Sequence, residues 1–409
     1  MLLAVGSFSP QLAEAIPNIP IEEEPMLSIK KMKGSRSTHR LLCMAALATM
    51  ALFTIPAIAQ TYQATILNSD IANISANTDP NLGNPWGLVA SSAGPWWVAD
   101  NGTGLSTLYD GTGTTLSLVV TIPSWDGQGT GVPSGIAFNS TQDFQLSSGN
   151  PATFLFVTED GTIQGWNHNV NPTTAVIEVN NWETAVYKGM ALASVNGANY
   201  LYAANFHAGT VEVYDGTFAS HSFGSNAFVD STIPQGFAPF NIALINGNLI
   251  VTYAKQDAAK HDDVAGPGNG YVDIYDTQGN LLSRLPHMVQ MNSPWAIVQA
   301  PAGFGAFSND LLIGNFGSGS IMAFDANSGN FIGMMFDESK LQMRINGLWA
   351  LEFGNGGSSG PSTTLYYTAG TFDEAYGTFG MIVPTPGQGI ATGGQTPMQR
   401  ISKSRKSRR

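Results

Sequence analysis

Short runs of wholly apolar or alternating residues recur along the chain between clusters of Gly, Asn, Asp and Pro, and no comparable window carries a helical period of about 3.6 residues. Runs rich in β-branched and aromatic residues, bounded by turn formers, predict strands. The runs themselves repeat. A proline or small residue, a bulky or polar one, a small one and an aliphatic follow each other in Pro85-Trp86-Gly87-Leu88, Pro133-Ser134-Gly135-Ile136, Pro239-Phe240-Asn241-Ile242, Pro294-Trp295-Ala296-Ile297 and Leu348-Trp349-Ala350-Leu351, with Lys188-Gly189-Met190 as a further copy. Counted from Trp86, Ser134, Lys188, Phe240, Trp295 and Trp349, the intervals are 48, 54, 52, 55 and 54 residues.

Each unit repeats the same order of strands. A second run follows the first, as in Leu155-Phe156-Val157-Thr158, and a third, alternating run follows a turn, as in Thr210-Val211-Glu212-Val213-Tyr214. Fourth strands are expected over 116–122, 174–179, 218–228, 280–287 and 330–336. Four-stranded units of this length, repeated, predict an all-β protein of the β-propeller type, six-bladed with four antiparallel strands per blade. The sixth unit ends near Val383 without a fourth strand, and 62–67 at the other end of the repeat region can supply it. Residues 60–384 then form one domain whose ring is closed by its N-terminal strand, which covers an edge that would otherwise invite pairing.

That topology turns the repeat into a map. Innermost strands begin on the face where the turns between second and third strands lie, so Trp86, Lys188, Phe240, Asn241, Trp295 and Trp349 share a rim with Glu159, Asn205 and His207. The longest of those turns, 253–270, adds Lys255, Asp257, His261 and Asp262. Charge in a long loop suits ligand binding, and polar loops are also what exposed backbone requires. The three tryptophans can stack a ligand or fill space between blades. Glu159, Asn205, Asn241 and Asp257 offer the oxygen ligands of calcium; His207 and His261 with Glu159 would suit zinc or iron. A lone loop histidine is, equally, often just solvated.

Charge narrows the partners. Residues 60–395 hold 25 acidic against 6 basic residues, which disfavours nucleic acid. Residues 385–409 are expected to form a disordered basic tail. Residues 30–59 read as a secretory signal: a basic stretch, an apolar run too short for a comfortable membrane span, and Ala57-Ile58-Ala59 before a cleavage point at Gln60. Residues 1–25 suit neither signal nor core and read as a non-native extension before a start at Met26 or Met32. The single cysteine, Cys43, lies in the signal, so the mature chain has neither disulfide nor thiolate chemistry.

The strings Thr78-Asp79-Pro80-Asn81-Leu82, Asn84-Pro85-Trp86-Gly87-Leu88, Tyr202-Ala203-Ala204-Asn205-Phe206-His207-Ala208-Gly209 and Lys260-His261-Asp262-Asp263-Val264-Ala265-Gly266-Pro267-Gly268-Asn269-Gly270 resemble those of an uncharacterised family of exported bacterial propeller proteins, over about 62–383. The resemblance implies a secreted six-bladed propeller with no established activity. In architecture alone the chain is also similar to NHL-repeat propellers and gluconolactonase-like enzymes, and architecture does not fix function. The expectation is an exported or periplasmic monomer, with no membrane span after signal removal. Its loop-rich face would bind a small molecule, glycan or protein, with calcium or another divalent metal as the cofactor considered. The alternative is a metal-dependent hydrolase or lyase at the mouth of the central channel.

Overall fold

The structure, a computed structural model, describes residues 60–147 and 149–386; the expected signal, the extension before it and nearly all of the basic tail lie outside the described residues. Six sheets are arranged as a six-bladed β-propeller of four antiparallel strands per blade. From the inside outward, blade I is Pro85–Ala90, Trp96–Asp100, Leu105–Tyr109 and Val120–Thr121, and blade II is Pro133–Phe138, Phe154–Thr158, Thr162–Trp166 and Val176–Asn180. Blade III is Tyr187–Val195, Ala198–Asn205, Thr210–Asp215 and Ser220–His221; blade IV is Phe237–Ile245, Asn248–Lys255, Gly270–Tyr275 and Leu281–Arg284. Blade V is Pro294–Gln299, Leu311–Asn315, Ile321–Phe324 and Phe331–Met334. Blade VI is Leu348–Phe353, Leu365–Thr371 and Tyr376–Pro384, completed by Tyr62–Ser69, with Asn77–Thr78 added in parallel outside it.

The closing strand pairs antiparallel from Tyr62 opposite Pro384 to Ser69 opposite Thr378. Tyr62 fastens it further by donating from its hydroxyl to the Phe304 carbonyl at 3.1 Å and stacking on Phe307. Cores lie between neighbouring blades, as where Leu312 and Ile321 of blade V meet Leu351 and Leu365 of blade VI. Outer strands are shorter than the apolar pattern suggests. The stretch 218–228 yields only Ser220–His221, because Phe218 and Phe228 adopt positive φ (64° and 58°) and turn their rings into separate cores.

The repeated motif has a structural meaning that its spacing alone does not reveal. Every innermost strand slips register at the same place: between Pro133 and Gly135, Tyr187 and Gly189, Pro239 and Asn241, Pro294 and Ala296, and, one residue wider, between Pro85 and Leu88 and between Leu348 and Leu351. The residue inside each slip is Trp86, Ser134, Lys188, Phe240, Trp295 or Trp349. A β-bulge bends the strand and re-aims its extra side chain, and prolines tolerate such positions because no ladder donor is lost there. The small residue that follows has its own reason. A Cβ on Gly87 would lie 2.8 Å from the Ser134 carbonyl oxygen, and one on Gly135 would lie 3.0 Å from the Gly189 Cα. At these two positions the neighbouring inner strand passes too close for a side chain, whereas the equivalent positions in blades IV, V and VI carry Asn241, Ala296 and Ala350.

Candidate functional site

Four of the six bulge residues set the floor of the site. Trp86 and Trp349 stack with ring centroids 3.6 Å apart, Trp295 meets both edge-on at 6.3 and 5.7 Å, Phe240 lies 6.0 Å from Trp349, and Phe316 covers the other side of Trp349 at 3.9 Å. Trp295 Nε1 reaches across the axis to donate to the Lys188 carbonyl at 3.0 Å. The cluster is buried, so these rings cover one another and plug the channel.

Above this plug runs a connected polar arc. His261 Nδ1 lies 2.9 Å from Asp262 Oδ1, which lies 3.3 Å from Lys188 Nζ. The same ammonium forms a close ion pair with Glu159 Oε1. Asn101 Nδ2 donates to Glu159 Oε2 at 2.6 Å; Asn84 Nδ2 donates to Asn101 Oδ1 at 3.3 Å and to Glu374 Oε2 at 3.1 Å; Trp349 Nε1 donates to Asn84 Oδ1 at 3.2 Å. Blades IV, III, II, I and VI each contribute, five of the six.

Local structure explains each placement. Asn101 and Glu159 start the turns after Trp96–Asp100 and Phe154–Thr158, while Lys188 is the bulge residue of Tyr187–Val195. In the long loop, Asp257 Oδ1 accepts from the backbone N–H of His261 at 2.9 Å and of Asp262 at 3.4 Å, with Lys260 at φ 57°, and so fixes the turn that brings Asp262 within reach of Lys188. Glu374 is held by the least relaxed backbone of the arc. Phe372, Asp373 and Glu374 carry consecutive φ values of 54°, 52° and 64° without a glycine, and Asn346 Oδ1 braces the turn by accepting from the Phe372 N–H at 2.9 Å. Each such residue costs on the order of 1 kcal/mol, and strain of this kind persists where surrounding structure over-determines it.

The arc shifts its groups in both directions. Burial pulls the Lys188 ammonium down, but Glu159 and Asp262 outweigh that and hold it above its ordinary value, so it stays charged beneath the rim. It lies 5.0 Å over the Trp86 ring and 5.8 Å over Phe206. The hydrogen bond with His261 draws Asp262 down to about 2 against the opposing effect of burial, and the same bond raises His261. Burial, reinforced by the charge of Glu159 and relieved in part by Lys188, pushes Glu374 up to about 7. Burial raises Asp263 as well.

Other residues singled out by the sequence have different surroundings. Asn205 clamps its own hairpin: Nδ2 donates to Glu212 Oε1 at 2.7 Å and Oδ1 accepts from Ala208 N–H at 3.1 Å. Asn241 is buried, donating to the Trp295 carbonyl at 2.9 Å and accepting from Ile242 N–H. The four residues considered for calcium thus engage separate partners: Glu159 in the arc, Asn205 and Asn241 in blade packing, Asp257 in the loop turn. His207 lies in the turn after Asn205, where its carbonyl accepts from Gln256 at 3.5 Å, and Lys255 is exposed at the end of Asn248–Lys255. The His, Asp and Glu side chains that do converge are Glu159, His261 and Asp262, with one ligand atom of each within 4.8 Å of the others. A metal there meets an obstacle. Lys188 and Asn101 already engage both Glu159 oxygens, and the ammonium, 1% exposed, is wedged against Trp86.

Glu374, Asn84 and Asn101 complete the arc although the binding set read from the sequence omits them. All three occupy strand starts or second-to-third turns, so the map of the rim was the available signal; nothing in the string Phe372-Asp373-Glu374 announces its strained turn.

No protein-family model matches the chain. One uncharacterised protein of Acanthamoeba polyphaga mimivirus is 33% identical over 302 residues, covering 71% of this chain and 73% of that protein; a second is 32% identical over 301 residues, covering 71% and 78%. Among solved structures, the apo soluble aldose sugar dehydrogenase of Escherichia coli aligns with a TM-score of 0.48 at 12% identity, over 80% of this chain and 100% of that one. A streptogramin B lyase aligns at 0.47 and 12% identity, over 79% and 98%. Neither bears on the chemistry of the rim.

Proposed function

The chain belongs to the family of these uncharacterised mimivirus proteins, and we propose that it is a binding propeller, taking a small ligand rich in hydrogen-bond donors, a polyol or an amine, at the mouth of its channel. The arc carries this reading. Its carboxylates, Asp262, Glu159 and Glu374, outnumber its one fixed cation, Lys188, and Asp263 lies beside them. Acceptors in excess call for donors from the ligand, and a network already paired within itself costs little reorganisation on binding. His261 and Asp262, about half and two-thirds exposed, are the outward members.

The competing reading is metal-dependent hydrolysis or elimination at Glu159, His261 and Asp262, favoured by their convergence. A bound divalent ion would supply a polarised water there, and the chain would have to move the Lys188 ammonium to admit it. Export is part of the proposal and rests on the signal pattern of residues 30–59. Among the described residues no helix is long and apolar enough to cross a membrane.

Calorimetric titration with glucosamine, glucose and Zn2+ separates the readings. Saturable binding of glucosamine or glucose, weakened by Asp262→Asn and Glu374→Gln, is the expected result. A response to Zn2+ alone transfers the site to the metal reading, and no response to any of the three removes the binding proposal.

A further inference from the structure

Beneath the plug the channel opens into a cavity of about 360 Å³ on the opposite side from the arc. Its walls are the later residues of all the inner strands, among them Val89, Ile136, Met190, Ile242, Ile297 and Leu351, and Leu244 is 41% exposed. Among the lining residues one alone is ionisable: Glu352, which follows Leu351 on the innermost strand of blade VI. Water reaches this side chain, yet the channel surrounds it. Its carboxylate accepts from the Phe353 N–H, and no cation or second carboxylate faces it from the other five blades. A carboxylate without a cation among apolar side chains is costly, and evolution retains such groups chiefly where something pairs with them.

We propose that this lower cavity is a binding site for an amphiphilic organic cation, whose ammonium pairs with Glu352 while its hydrocarbon part packs on the aliphatic side chains of the wall. Cavity size and lining suit a small amphiphile: the wall is concave, its side chains are apolar apart from Glu352, Asn241 and the indole of Trp295, and strand backbone supplies polar surface between them. Charge sets the class, since a carboxylate repels anions and leaves a neutral alkane's place unspecific. The proposal is independent of the rim reading, because the plug of Trp86, Trp295 and Trp349 separates the two ends. Burial pushes Glu352 up to about 7, so an arriving ammonium should drive off the proton that the empty channel retains.

The test is calorimetric titration of the full chain with hexylammonium and, as its neutral counterpart, hexanol, at about pH 8 where Glu352 is ionised. Hexylammonium should bind saturably and roughly tenfold tighter than hexanol, and Glu352→Gln should abolish that preference. Repeating the wild-type titration near pH 7 in buffers of different ionisation enthalpy should reveal proton release, a readout that needs no variant. Absence of saturable binding, equal affinity for hexanol, a preference that survives Glu352→Gln, or binding without proton release near pH 7 each overturns the proposal.

Discussion

The two ends of the channel share walls and differ in how they handle charge. At the loop-rich end, Lys188 is buried as deeply as any core residue, yet Glu159 and Asp262 neutralise it and amides carry the network onward. At the other end Glu352 stands among aliphatic side chains with a backbone N–H as its one partner. Burial raises both carboxyls, Glu374 above and Glu352 below, to about 7. Glu374 is one charge among several, so its proton depends on its neighbours; Glu352 answers to desolvation, opposed only by the Phe353 N–H. Pairing makes a charge structural, and isolation leaves it poised for an arriving partner.

Removing the partition should have the largest effect. Trp349→Ala deletes the ring that touches Trp86, Trp295, Phe240 and Phe316, at a cost of about 4 to 5 kcal/mol. Denaturant unfolding measures that loss. Admitting water from above should also bring Glu352 back toward the ordinary carboxylate range, read as a shift in the pH dependence of melting.

Lys188→Met breaks the upper end alone. It leaves Glu159 buried without its cation, at about 3 to 4 kcal/mol. Adding Glu159→Gln should recover part of the loss in a double-mutant cycle; full additivity would mean that the two side chains do not interact.

Glu352→Gln sharpens the contrast in the opposite direction, toward greater stability. A carboxyl raised in the folded state keeps its proton between about 4.5 and about 7 while the unfolded chain loses its own, so stability falls as pH rises through that window. Above it the amide should be more stable than wild type by on the order of 3 kcal/mol, and below about pH 4 the two should melt alike. An advantage that did not vary with pH would show that Glu352 is not charged in the channel.

Asp262→Asn should have the smallest effect. Its side chain is 68% exposed, and ion pairs in such positions contribute below about 1 kcal/mol. Thermal melting should barely move, while His261, losing the partner that raises it, should titrate lower by NMR.

The architecture was legible because a repeat states itself six times, and the closing strand because the last unit lacked its fourth. Anchor residues such as Ser134 and Lys188 were visible as positions in a pattern, but a bulge is a property of pairing and leaves no mark in one strand's own sequence. Rim residues could be mapped to one face. Which of them meet was decided by side-chain reach: Lys188 spans to Glu159, whereas Asn205 turns back onto Glu212. Glu352 gave no signal at all, since Leu351-Glu352-Phe353 reads as an ordinary strand with one face in water, and only closure of the ring puts that face inside.

Ring closure has a consequence for synthesis. Of the blade strands Tyr62–Ser69 is made first, and it pairs with Tyr376–Pro384, which is made last, so no intermediate lacking that strand can finish the circle. Until residue 384 is available, blade VI lacks its partner edges and the chain stays open. Blades I to V draw all their strands from their own stretch of chain, so what the last strand brings is not their pairing but the closure that couples them.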